Sequence, residues 1–320
     1  MKHYLVAAIQ SPASMAASNG KLRITLFQPA RTLAPYVSHY GLRQGALEQE
    51  ELLRPIYVRT QQTLEFYLQD RYRLQTVGGE LTAPGILLTG PSTGPKGSLI
   101  YPRNVCTLTV HFHPAGFHAL FRLPMHLLAD QALPADTVLG SSTLELLDTL
   151  QSAVSEQQLV HILDDFLVHR ARQTVLHSPI QPAARWLRCQ YGVADLAALA
   201  YGCNLSLRQF ERQFREQVGI APKVFSRVAR LEYAVHRKQM YPRLSLASVS
   251  ADAGYFDQAH FIRDARVLTG VSPRRLIASL PDTDLKSLRS ADELNRLNSQ
   301  MQGMSRLYNS CGFPSAKLSL

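Results

Sequence analysis

The chain has 320 residues, 46% hydrophobic and 18% charged, with 18 glycines, 18 prolines and a formal net charge of +10. This composition excludes a disordered or fibrous chain, and the length suggests about two domains. No apolar run approaches the ~20 residues of a membrane helix. The stretch Tyr4–Ile9 behind Lys2 is short for a secretion signal, so we expect a soluble, cytoplasmic protein.

The first half reads as β-rich. Thr107-Leu108-Thr109-Val110-His111-Phe112 alternates polar and apolar residues, as a half-buried strand does. Leu64–Leu68 and Ile86–Leu88 are further strand candidates, separated by the turn-rich Gly78-Gly79 and Gly90–Pro95. From about residue 143 the period becomes helical, with Leu144, Leu147 and Leu150, then Leu159, Ile162 or Leu163, and Phe166. Pro179 and Pro182 bracket a break. Beyond it we expect helices over 182–190, 193–201, 206–218, 223–240, 245–253 and 257–268, with a last turn after Pro273. Residues 281–320 are polar, with a weak helical pattern at Leu285, Leu288, Leu294 and Leu297, and read as a loosely held tail.

This gives an α+β multidomain chain. A β-rich, barrel-like regulatory domain spans 1–142, a helical linker 143–178, an all-α domain 179–280 and a polar tail 281–320. The charge is concentrated in one of these parts. Residues 1–180 hold 14 Lys/Arg against 13 Asp/Glu, residues 181–280 hold 15 against 7, and the last forty hold 5 against 4. A local excess of +8 points to a polyanionic partner, because Lys and Arg displace counterions from phosphates.

Cys106, Cys189, Cys203 and Cys311 form no CxxC pair, so neither a structural zinc site nor a dithiol has local support. We expect no metal and no cofactor. The strongest enzyme clue is His111-x-His113, which would share a face of a strand, with His118 five further on. Pro114-Ala115-Gly116 follows at once and no carboxylate ligand sits at a matching offset, so we assign no catalytic residue and expect a non-enzyme.

The basic segment carries one pattern twice. The first copy runs Leu196 to Gly202, then Ser206 to Arg215, then Gly219-Ile220-Ala221-Pro222. The second runs Val249 to Tyr255, then Asp257 to Arg266, then Gly270-Val271-Ser272-Pro273. Ala198 and Ser250, four before Gly202 and Gly254, are small enough for two helices to cross. Each glycine can take the left-handed conformation that ends a helix. Ser206 and Asp257 are suitable N-caps. Phe210 and Phe214, at i and i+4, face inward and turn Arg208, Arg212 and Arg215 outward. In the second copy Phe261 is the inward anchor, leaving Gln258, His260, Arg263 and Arg266 outside.

This doubled order resembles the DNA-binding domain of the AraC/XylS transcription regulators, over about 100 of the 320 residues. Arg230 and Ala234 fall where that family usually carries Arg and Ala in its connecting helix. A looser likeness to a regulatory domain of such proteins runs through Gly90-Pro91, Phe112 to Phe117 and Phe166 to Arg170. The resemblance implies a sequence-specific DNA-binding regulator with two helix-turn-helix motifs. Its DNA-contacting set would be Arg208, Gln209, Glu211, Arg212 and Arg215, then Gln258, His260, Arg263 and Arg266. Arg215 and Arg266 would hold phosphates; Glu211 would accept from cytosine or pair with Arg208 or Arg215. Double-stranded DNA is the implied partner. A small effector, a second copy of the chain and RNA polymerase are further candidates.

Three departures fall in the second copy: Ala265 for a core Phe, Leu276-Ile277 for a closing Tyr-Arg, and Ser250 for Ala. Two alternatives stay open: a metal-dependent enzyme in the first half, and a ligand-sensing domain with vestigial DNA contacts.

Overall fold

A computed structural model describes residues 22–47, 52–76, 78–95, 97–174 and 178–278. The stretch Tyr4–Ile9, the tail 281–320 and Cys311 lie outside the described residues.

The first half folds into two antiparallel sheets. The larger has the order β1-β2-β9-β4-β7-β10, from Arg23–Phe27 (β1), Val37–Ala46 (β2), Asn104–Phe112 (β9), Thr63–Tyr67 (β4), Ile86–Thr89 (β7) and Ala132–Pro134 (β10). The smaller has the order β3-β8-β5-β6, from Leu52–Pro55 (β3), Ser98–Tyr101 (β8), Arg73–Thr76 (β5) and Gly79–Thr82 (β6). Among the described residues β1 and β10 are open edges, so the expected barrel-like domain is a pair of open sheets and not a closed barrel.

The alternation of β9 sets the chemistry of both faces. Cys106, Leu108, Val110 and Phe112 point into one core with Tyr40, Leu42, Leu64 and Phe66. That face is covered by two helices, Ser142–Gln151 (α3) and Glu156–Arg172 (α4), through Leu146, Leu147, Leu150, Leu159, Leu163 and Leu167. The helices expected to link two domains are therefore a layer on the sheet. Asp164 of α4 fixes them, accepting from the Tyr40 hydroxyl at 2.7 Å and the Ala30 amide at 2.9 Å. Thr107 and Thr109 point to the opposite face, where Thr107 donates to the Tyr72 hydroxyl and an aromatic group of Tyr67, Tyr72 and Tyr101 closes one end. Two short helices, Gly116–Phe121 (α1) and Ala135–Leu139 (α2), complete this half.

Among the described residues seven helices follow: Ile180–Cys189 (α5), Leu196–Gly202 (α6), Leu207–Val218 (α7), Pro222–Met240 (α8), Leu246–Asp252 (α9), Gln258–Thr269 (α10) and Pro273–Ala278 (α11). They build two cores. One gathers Trp186, Leu187, Leu199, Phe210, Phe214 and Phe225; the other gathers Val228, Leu231, Val249, Phe261, Ala265 and Leu276. The long α8 contributes to both, with Pro222 at its first turn.

The N-terminal half docks on these helices through buried polar contacts. The Thr60 amide and hydroxyl donate to the two carboxylate oxygens of Glu232 on α8, at 3.0 and 2.8 Å. The Gln62 amide donates to the Val218 carbonyl at the end of α7. Gly219 caps α7 with φ +104, and a Cβ there would lie 2.9 Å from the Met125 carbonyl oxygen and 2.7 Å from the Pro91 ring. We therefore expect Gly219→Ala to destabilise the protein by roughly 2–4 kcal/mol, through left-handed strain and overpacking together. Chemical denaturation should show the loss while the far-ultraviolet circular dichroism of the native state is unchanged.

Candidate nucleic-acid interface

Local rules set the orientation of each basic side chain. Ser206 and Gln209 form a reciprocal capping box that starts α7. From that start, Phe210, Phe214 and Val218 fall on one face, and all three are completely buried. Arg208, Glu211, Arg212 and Arg215 are left exposed. Gln209 is exposed too, but its side-chain oxygen accepts from the Ser206 amide and hydroxyl, so it serves the cap. Among the described residues no ion pair joins Glu211 to Arg208 or Arg215.

The second pair follows the same logic with different residues. Asp257 caps α10 by accepting from the His260 amide at 2.6 Å. Phe261, Ala265 and Leu268 turn inward, and Gln258, Arg263 and Arg266 outward. His260 is half-buried, its ring edge-on to Tyr255 at 5.2 Å. The structure thus exposes every sequence-derived candidate except this one.

One expected detail is corrected. Gly254 does take the left-handed conformation that ends α9, at φ +74. In the first pair that role falls to Asn204, at φ +55, and Gly202 is the last residue of α6. Asn tolerates this region because its short polar side chain bonds locally. Likewise the buried small residue of α6 is Ala200, with Ala198 half-buried.

Sequence reasoning missed an acidic pivot. Asp264, buried on α10, accepts from Arg227 Nε at 2.9 Å and Nη2 at 2.5 Å, and faces the Tyr255 hydroxyl at 3.5 Å. Arg230 lies over the Tyr255 ring. Burial and the adjacent Asp264 carboxylate raise the Tyr255 phenol, which stays protonated as a donor. The network ties α8 to α10 across the second core. Its only sequence signal was a lone acid inside an arginine-rich helix.

On the outer side of α7 lies an open groove of about 900 Å³. Arg208, Arg212, Arg215, Lys223 and Arg227 line it with Glu211 and Glu216, and His126 of the N-terminal half forms its far wall. The positive side chains outnumber the acids, which suits a polyanion.

His111 and His113, the strongest enzyme clue in the sequence, do not both lie on the strand. His111 ends a strand face, whereas His113 lies beyond β9. His118 is on α1, with Nδ1 at 2.7 Å from the Leu123 carbonyl oxygen. Among the described residues no group of three or more His, Cys, Asp or Glu side chains is arranged to hold a metal ion. Instead His39 stacks on His111 at 4.3 Å. Burial first, then neighbouring arginines and, for His111 and His113, the His39 ring, hold His39 down at about 4 and hold His111 and His113 well below the usual histidine range.

Residues 199–279 match the family model of a helix-turn-helix domain, and residues 25–134 match the model described as "Domain of unknown function (DUF6597)". No curated protein matches. Among solved structures, ToxT from Vibrio cholerae O395 aligns over 81% of this chain and 97% of its own, at 8% identity and a TM-score of 0.40. The unsaturated fatty acid-bound wild-type ToxT from Vibrio cholerae strain SCE256 aligns over 81% and 95%, at 10% identity and a TM-score of 0.39. Among the described residues no helix is long and apolar enough to cross a membrane.

The three histidines are neutral in the folded chain and gain protons on unfolding below the ordinary value of 6.5. Their contribution to stability is therefore present above pH 6.5 and is lost as the pH falls towards about 4. Each should add up to ~1.4 kcal/mol per pH unit to the slope in that window. Denaturant unfolding at several pH values should show this fall, and His113→Gln should flatten it.

Proposed function

We propose that the chain is a transcription regulator of the AraC family that reads a specific DNA sequence with two helix-turn-helix motifs, on the strength of the match of residues 199–279 to a helix-turn-helix domain. α6 with α7 forms one motif and α9 with α10 the other, within a DNA-binding domain at 179–280. The observation that carries this reading is the division of α7 and α10 into a buried face and an arginine-bearing exposed face. α8 has 19 residues, hence ~28 Å at 1.5 Å per residue. Successive major-groove faces recur every ~34 Å, so one rigid connecting helix suits two reading helices on one side of DNA.

Arg208, Arg212 and Glu211 are the base readers of the first motif, and Gln258 and Arg263 those of the second, with His260 at its edge. Arg pairs with guanine and Gln with adenine in the major groove. Arg215 and Arg266 hold phosphates. Residues 1–142 with the helices of 143–178 form the regulatory part, answering to a small effector.

Selection of bound sequences from random DNA, with wild-type and variant protein, tests the reading. Arg212→Ala should cost ~1–3 kcal/mol on the selected site and relax one base position. Arg215→Ala should weaken all sequences alike and lower the salt slope by about one. If Arg212→Ala weakens selected and random DNA equally, Arg212 is not a base reader. If the wild type selects no sequence, specific DNA reading is wrong.

The second site should tolerate more sequence variation than the first. Ala265 gives α10 a smaller buried anchor than Phe214 gives α7, and part of its polar surface is committed to the Asp264 network. Footprints with equal sequence demand at both sites would contradict this.

A further inference from the structure

We propose that Phe256, in the turn ahead of α10, reads the C5 methyl of a thymine at the second DNA site. This contact deepens the DNA-reading proposal above and rests on it. The two helix pairs follow one plan until this turn. The Leu205 amide donates to the Ala200 carbonyl, and the Tyr255 amide to the Ser250 carbonyl, each at 3.0 Å. Both side chains pack on their own core, just after the left-handed Asn204 and Gly254. Leu205 is followed at once by the cap of α7, Ser206. Between Tyr255 and the cap of α10, Asp257, stands one residue more. That additional residue is Phe256, and its side chain is 93% exposed.

The turn pins this residue from both sides. Before it, the Tyr255 ring packs on Phe261 at 5.1 Å and faces Asp264 through its hydroxyl. After it, the Asp257 carboxylate accepts from the His260 amide and fixes the start of α10. A Cβ on Gly254 would lie 2.7 Å from the Val193 side chain, so the turn is closely packed where it leaves α9. A single exposed apolar side chain is ordinary on a protein surface. A large ring held beside a reading helix by its own turn is less so, and an aromatic ring loses little rotamer freedom when covered.

The neighbouring side chains indicate what covers the ring. Counted from the two caps, Ala259 of α10 occupies the place of Arg208 on α7. Ala259 is exposed, as Gln258 is. The leading end of α10 thus carries two apolar groups around one amide, where α7 presents a guanidinium. In the major groove thymine alone bears an apolar mark, its C5 methyl, and Gln pairs with adenine. Phe256, Gln258 and Ala259 together therefore suit A·T pairs, as Arg208 suits guanine. Arg263 and Arg266, exposed on the same helix, draw a polyanion to the surface that the ring joins. Two residues of chain span ~7 Å, about two base-pair steps of ~3.4 Å. The thymine then lies within about two base pairs of the adenine that Gln258 reads.

The full chain should be measured on the site that the wild type selects from random DNA. Each thymine of the second half of that site is replaced in turn by deoxyuridine, which removes only the C5 methyl. We expect one replacement to weaken wild-type binding about three- to tenfold. In Phe256→Ala the same replacement should change binding less than about twofold, because the methyl has already lost its partner. That variant should bind the unmodified site as weakly as the wild type binds the deoxyuridine site, with its denaturation midpoint unchanged. Arg266→Ala should bind all DNA more weakly and keep the full deoxyuridine effect. A second half with no sensitive thymine, or a sensitivity that persists in Phe256→Ala, overturns the proposal. Wild-type binding of the site by Phe256→Ala overturns it too, and a change in oligomeric state would then assign the ring to a second copy of the chain. These failures leave sequence reading by the chain standing, whereas a wild type that selects no sequence overturns both.

Discussion

The burial of Phe210, Phe214 and Val218 on one side of α7 is the constraint on which the rest of the site depends. These side chains sit at successive turns of the helix, so seating them leaves no freedom to rotate it. Arg208, Arg212 and Arg215 are then presented by exclusion, without bonds of their own to hold them outward. Phe225 of α8 packs edge-on to Phe214 at 5.4 Å, which passes the same orientation to the connecting helix. Basic side chains that touch little in the free chain keep their donors available for phosphates and base edges.

The second helix pair reaches a similar arrangement by other means. Where the first core has an aromatic anchor, the second has Ala265, and the lost volume leaves room for polar groups at its edge. Asp264 fills that role, gathering Arg227 and Tyr255 around one buried carboxylate. Apolar packing is non-directional and tolerates small shifts, whereas a charged network fixes angles and fails as a unit when one member goes. The two copies share a backbone plan and differ in what holds it.

Much of this plan was legible because it rests on local rules. Period, N-caps and prolines gave the helices of the second half to within a few residues, alternation gave β9, and short apolar stretches set off by turn-rich segments gave β4 and β7. Strand β2 was not legible: Gly41 and Gly45 interrupt its alternation, and its polar residues face an interior that the sequence does not announce as buried. Asn204 was missed in favour of Gly202 because glycine is the commoner left-handed residue, and the spacing of the two copies matched glycine to glycine. The helices of 143–172 read as a linker because an apolar stripe tells that a face is covered but not by what. The stacking of His39 on His111 was beyond reach for the same reason, since the two lie far apart in sequence and meet only through the pairing of β2 with β9.

The docking of the two halves also explains why they use hydrogen bonds at their seam. A purely apolar interface would hold over a range of small displacements, since its energy follows buried area and not angle. The contacts of Thr60 and Gln62 are directional, and they clamp the middle of α8 and the end of α7 from a single short segment. Gly219 admits the N-terminal half to within van der Waals contact of the end of α7, with no side chain to cushion it. A displacement of segment 59–62 therefore breaks bonds to α7 and α8 together and cannot be absorbed by either helix alone. The seam couples the halves because its polar groups have no alternative partners once water is excluded.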